Sequence, residues 1–256
     1  MTAASSQKST LLAWESAPSD AAFIGIDGAR GGWVVAVWDN GILTLTFYTT
    51  LAEIPLPPTC RVLVDMPIGL PAKHRRSCDA QARALLGARR STLFPVPTRA
   101  AVYASSYAEC CEINEGFQGC RVSKQAWNIS PKIRELDRYL SSAPSRHTHI
   151  AEGHPELAFM ALHPSRAPLP SKRTPLGLQL RGEALAFMGA HVEALVREFS
   201  ASHPRFLDAT DSYDALSLCA LLLRTHGEVS FLGDGSVDEL EAPERICVGK
   251  KTVGTE

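Results

Sequence analysis

The hydrophobic pattern becomes legible at Ala22, where AAFIGID gives an apolar run closed by Asp27. GARGG interrupts it and WVVAVWD resumes with aromatic and β-branched residues, which predicts two strands around a tight turn. Asn40-Gly41 is a two-residue hairpin signal, and the alternation of apolar residues with Thr in ILTLTFY predicts a third antiparallel strand. Thr50 and Glu53 stand at capping-box spacing in TTLAEI, so a short helix is expected there. CRVLVD (60–65) is a short apolar run suited to a buried strand, and it too ends on an aspartate, Asp65.

Residues 72–140 read as mainly helical. CDAQARALLGARR (78–90) has helical spacing, and PKIRELDRYL (131–140) begins with Pro at a favoured first-turn position. Pro95, Pro97, Gly116 and Gly119 place loops between these helices. HTHIAE (147–152) reads as a strand ending in Glu152, followed by Gly153-His154-Pro155-Glu156 and a helix in LAFMALH. The proline-rich stretch 164–177 is expected to be a loop. GEALAFMGAHVEALVREF (182–199) and DSYDALSLCALLLRTHG (211–227) have helical periods, the second ending in a C-cap at Gly227. Short strands are expected at 229–232 and 245–248. A hairpin-first meander followed by a crossover into further strands predicts an α/β layer fold. The expected organisation is a loose tail over 1–20 and one domain over 21–256, with a helical insertion at about 72–140.

Composition narrows the class. With 45% hydrophobic residues and a formal charge of -1, the chain can bury a core and is not expected to be disordered. The total charge gives no general attraction for polyanions, but residues 61–100 hold eight Lys/Arg against Asp65 and Asp79, a local excess of six. Seven irregularly spaced cysteines match neither a disulfide framework nor paired zinc ligands, which fits a reducing compartment. No apolar run approaches the roughly 18 residues of a membrane helix, and the tail lacks the features of a secretory signal. A cytoplasmic location without membrane association is therefore expected. GARGG is too short for a phosphate-cradling loop, although Arg30 at its tip is placed to reach a phosphate.

The acids carry the chemistry. An open sheet places its ligand site beyond the carboxyl ends of its parallel strands, where Asp27, Asp65 and Glu152 are expected to converge. Carboxylates collected in one place repel each other, so such a cluster either holds a divalent cation or raises the pKa of a member. Asp211 and Asp214 are three residues apart on one helix face, and either is a candidate to reach over the strand ends. His154 beside them is a candidate for proton exchange near neutral pH or for a structural hydrogen bond. Trp127 in SKQAWNI is a candidate for base stacking or for core packing.

The segments IGIDGARGGW (24–33), VDMPIGLP (64–71), CDAQAR with LGARRSTLFPVPTRA (78–100), SKQAWNISPKIRELD (123–137), EGHPELAF (152–159) and DSYDAL (211–216) together resemble domain-of-unknown-function family 429, a family of predicted RNase H-like nucleases. The resemblance spans roughly residues 22–248 and implies an RNase H-like mixed sheet, an antiparallel three-strand meander plus parallel strands, flanked by helices. It implies metal-dependent phosphodiester hydrolysis with Mg²⁺ or Mn²⁺. Asp27 would be the first-strand acid, Asp65 the acid after the fourth strand, and Asp214, or alternatively Asp211, the helix acid. Glu152 and Glu156 match an E-x-H-P-E motif, in which Gly153 is the intervening residue here.

Two Mg²⁺ ions about 4 Å apart, bridged by Asp27, would activate water and stabilise the leaving oxygen. Arg30, Arg75, Arg76, Arg89, Arg90 and Lys124 are the candidate contacts to a nucleic acid or a phosphorylated small molecule. The competing readings are a non-catalytic nucleic-acid or nucleotide-binding module and an actin-like kinase or ATPase. The latter needs a second strand-Asp-Gly lobe that the sequence lacks.

Overall fold

The computed structural model describes residues 17–249 apart from 19 and 207, so most of the tail expected over 1–20 lies outside the described residues. Three strands, β1 (Phe23–Ala29), β2 (Gly32–Asp39) and β3 (Ile42–Tyr48), form an antiparallel meander. Asn40 and Gly41 take the left-handed φ values of 48° and 81° that a two-residue turn between twisted strands requires. The Thr50 and Glu53 capping box closes one turn of 3₁₀ helix at Leu51–Glu53. β4 (Arg61–Asp65) then runs parallel to β1, and β5 (Ile150–Glu152) parallel to β4. The edge is completed by β7 (Ile246–Gly249), parallel to β5, and its antiparallel partner β6 (Ser230–Leu232). The result is one mixed seven-stranded sheet in the order β3-β2-β1-β4-β5-β7-β6.

Eight α-helices occur among the described residues: α1 (Ser77–Leu86), α2 (Arg99–Val102), α3 (Tyr107–Gln118), α4 (Lys124–Ser141), α5 (Pro155–Leu162), α6 (Pro175–Leu185), α7 (Val192–Ser202) and α8 (Ala209–Thr225). None of the described helices is long and apolar enough to cross a membrane. The sheet is buried on both faces, and the period-2 alternation of strand side chains sorts its residues between them. Ile24, Ile26, Val62, Val64 and Ile150 pack with Ile133, Leu136 and Leu140 of α4 on one face. Phe23, Leu63 and Ala151 pack with Ala215, Leu218 and Cys219 of α8 on the other. α8 crosses β1 so closely that a Cβ on Gly25 would lie 2.0 Å from the Ala215 carbonyl oxygen.

Several boundaries differ from the sequence expectation. α4 begins at Lys124, seven residues before Pro131, because Ser123 caps it by accepting the Ala126 N–H. The proline's missing donor is offset by the buried seam Ala126, Ile133, Leu136 and Leu140. The helix expected over 182–199 is broken at Gly189, whose φ of 129° no helical residue adopts, leaving α6 and α7 as separate elements. α6 itself starts at Pro175, inside the expected loop, and β5 is shorter than HTHIAE because Pro144–Thr148 form a 3₁₀ turn. Gly116 lies within α3, whereas Gly119 is its left-handed cap. α8 is capped by His226 in the left-handed region, with Gly227 following it.

Candidate functional site

Asp27 and Asp65 are register partners where the parallel ladder of β1 and β4 ends. They share the sheet face covered by α8, and Asp214, in the second turn of α8, lies over them. Glu152 is different. Its partner across the sheet is Val64, one residue before Asp65. In a strand that one-residue difference directs a side chain to the opposite face.

Glu152 accordingly accepts hydrogen bonds from the Ile68 N–H at 2.8 Å and from Arg76 Nη1 and Nη2 at 2.7 and 3.0 Å. Arg76 is fully buried, donates to the Ile68 carbonyl at 2.8 Å, and also binds Asp79, whose other oxygen accepts the Val96 N–H at 2.9 Å. Burial opposes the Arg76 charge, but Glu152 and Asp79 hold the guanidinium charged. Glu152 and Arg76 border the same cleft, and the Glu152 charge adds to the rise of Asp65, but the Glu152 carboxylate is committed to Arg76 and the Ile68 N–H, and Arg76 is buried in that pairing. Together they fasten the loop between β4 and α1.

Glu156 is also compensated. Both its oxygens accept from Arg181 Nη2, at 2.8 and 2.7 Å, and Oε1 accepts from Arg89 at 2.9 Å. Its carboxylate is committed to two arginines, and the pair with Arg89 holds that guanidinium beside the hollow next to the cleft. His154 precedes α5 with Nε2 3.4 Å from the Thr92 carbonyl, while its buried Nδ1 has no partner. Burial pushes its pKa down to about 4, so the imidazole is neutral where proton exchange was expected.

The remaining acids form a strongly coupled group. Burial, reinforced by the charges of Asp65, Asp214 and Asp211, raises Asp27 well above the usual carboxylate range. Asp65 is pushed up to about 8 by burial and by Asp214, and burial lifts Asp214 to about 6. Asp211 stands at the rim, where its carboxylate accepts the Asp208 N–H at 3.0 Å in a capping box for α8. The counter-charge comes from Lys172, whose Nζ donates to Asp214 Oδ2. Burial disfavours its charge, but Asp214, Asp27 and Asp65 together raise its pKa. Nothing in the sequence distinguishes this lysine, which sits in the loop segment SKRTP.

These groups line a cleft of about 220 Å³, to which His154 and Gln125 also contribute. An adjoining hollow of about 390 Å³ shares Asp65, Lys172 and Asp214 and adds Arg89 and the exposed Arg173. On the other side of Asp211 a hollow of about 290 Å³ is lined by Arg30, Arg205 and Phe206. Of the other candidate cations, Arg75 donates to the Gln118 carbonyl at 2.9 Å and Lys124 lies 4.0 Å over the Tyr107 ring. Arg75, Arg90 and Lys124 are exposed and none of them lines the cleft. Trp127 packs against Tyr107 beside a small cluster formed by α2, α3 and α4.

Among the described residues, no three His, Cys, Asp or Glu side chains stand together as a ready-made metal site. The donor set is nevertheless one of hard oxygen ligands, which suits Mg²⁺ or Mn²⁺ and not a softer ion. The ammonium of Lys172 lies among the carboxylates that would bind it.

A mixed-sheet α/β protein with a carboxylate cleft at the ends of adjacent parallel strands is the class that fold and site define. Residues 25–235 match the family described as protein of unknown function DUF429, and the chain belongs to that family. No curated protein and no solved structure matches it.

Proposed function

We propose that this protein is a metal-dependent phosphodiesterase on an RNase H-like core, with nucleic acid as its substrate class. The observation that carries the reading is the convergence of Asp27, Asp65 and Asp214 from β1, β4 and α8 in one cleft, with pKa values raised chiefly by burial, to which neighbouring carboxylates add at Asp27 and Asp65. The order β3-β2-β1-β4-β5, with only β2 antiparallel to its neighbours, supports an RNase H-like core. Arginines in the hollows on both sides of the cleft support a ligand that carries more than one phosphate.

Asp27, Asp65 and Asp214 would hold Mg²⁺ or Mn²⁺, with Asp211 at the rim. Once bound, the ion supplies charge neutralisation at the phosphate and an acidified water. The chain's own residues do the rest. Arg89 and Arg173 on one side and Arg30 and Arg205 on the other orient the phosphodiester, while neutral His154 lines the cleft between them.

The alternative, a non-catalytic nucleic-acid or nucleotide-binding module, is favoured by one observation, the engagement of Asp214 by Lys172. Incubation with labelled DNA and RNA in Mg²⁺ or Mn²⁺ separates the two. The phosphodiesterase reading requires cleavage that EDTA stops and that Asp27→Asn and Asp65→Asn abolish; metal-independent binding without turnover favours the module.

A further inference from the structure

The loop between α5 and α6 carries Lys172 to the carboxylates, and it is anchored on both sides of that residue. Before it, the fully buried Arg181 donates to the Pro170 carbonyl at 2.8 Å through the same guanidinium that grips Glu156. After it, Thr174 donates to the Ser171 carbonyl at 2.9 Å and accepts the Gly177 N–H at 3.1 Å, capping α6. Gly177 lets the Ser171 carbonyl approach so closely that a Cβ would lie 2.0 Å from it. An ordinary surface lysine needs no such mounting. The Lys172 side chain is 33% exposed and borders both the carboxylate cleft and the adjoining arginine-lined hollow.

We infer that Lys172 is a tethered counter-cation that competes with the divalent metal for Asp214. In the metal-free protein its ammonium balances the buried carboxylates. A metal entering the cleft takes over that role, and the ammonium turns into the neighbouring hollow, where it joins Arg89 and Arg173 facing the phosphate. The ammonium moves with its proton, and the additional charge of the divalent ion is met by protons that the carboxyl groups release on ligating it. This rests on the metal-binding reading above.

The test is Mn²⁺ binding to the full chain, followed by the electron paramagnetic resonance signal of free Mn²⁺. Removing one competing charge at a partly buried contact should tighten binding by about tenfold or more in Lys172→Met. Lys172→Arg, which keeps the charge, should bind no tighter than wild type. Lys172→Gln provides a second neutral variant should the methionine form not fold, with the circular dichroism spectrum as the check. Unchanged or weaker affinity in the folded neutral variants, or an equal gain in Lys172→Arg, overturns the competition while leaving the metal site standing. No Mn²⁺ binding by any of the proteins overturns the metal reading and this inference together.

Discussion

Asp27 and Asp65 face one another across the parallel β1–β4 pair, each the register partner of the other, and the Asp65 charge adds to burial in raising Asp27. Two carboxyl groups so placed in a buried site cannot both ionise without a cation between them or beside them. Their raised affinity for protons and the charge of Lys172 are the two devices by which the protein tolerates the arrangement.

Stability of the metal-free protein should therefore depend on pH in an unusual direction. Both folded-state pKa values lie above those of the unfolded chain, so the native state binds more protons. The associated stability is fully present below about pH 4 and is lost as pH rises through about 8, the folded value of Asp65. The slope should reach at most about 1.4 kcal/mol per pH unit for each proton retained. Urea denaturation at several pH values in EDTA measures it. Asp27→Asn should flatten the slope and raise stability at pH 8; a slope identical to wild type would refute the coupling.

Asp214 and Asp211, though on one helix face, should respond differently to amidation. Asp214→Asn removes the buried partner of Lys172 and should abolish Mn²⁺ binding. Asp211→Asn weakens the capping box of α8, costing roughly 0.5–1 kcal/mol, and should leave most of the binding. Thermal unfolding and metal titration on both variants make the comparison, and equal effects on metal affinity would count against the assignment.

Glu152 and Arg76 should behave as parts of the fold. Glu152→Gln or Arg76→Met strips one partner from a buried ion pair and should destabilise by about 3–5 kcal/mol. The double variant Glu152→Leu with Arg76→Met should be better tolerated than Arg76→Met alone. A Glu152→Gln protein of native stability would return this residue to the list of ligands.

Cations beside the cleft should matter more than cations elsewhere. Arg173→Glu and the pair Arg30→Glu with Arg205→Glu should weaken oligonucleotide binding and flatten its salt dependence, whereas Arg75→Glu and Lys124→Glu should do so less. Fluorescence anisotropy across a salt series, with Ca²⁺ replacing Mg²⁺, reads this directly. Equal losses from all of these changes would mean that the two hollows are not the path of the strand.

Local chemistry by itself determined the meander, the hairpin turn at Asn40-Gly41, the buried strand closing on Asp65 and the apolar helix that carries Asp214. Each rests on a few neighbouring residues whose periodicity and turn preferences suffice. Tertiary structure alone decided which acids meet. Glu152 ends an apolar run just as Asp65 does, but its register places it one residue out of phase, where its carboxylate is taken up by Arg76 at the border of the cleft. Glu156 and Asp214 sit on neighbouring helices, yet Arg181 neutralises one and Lys172 the other. Those partners come from a loop and a helix at least 25 residues away in sequence, as in the Arg181–Glu156 pair. Parity between strands and pairing across loops are set by how the sheet registers and the helices pack, and no local pattern encodes either.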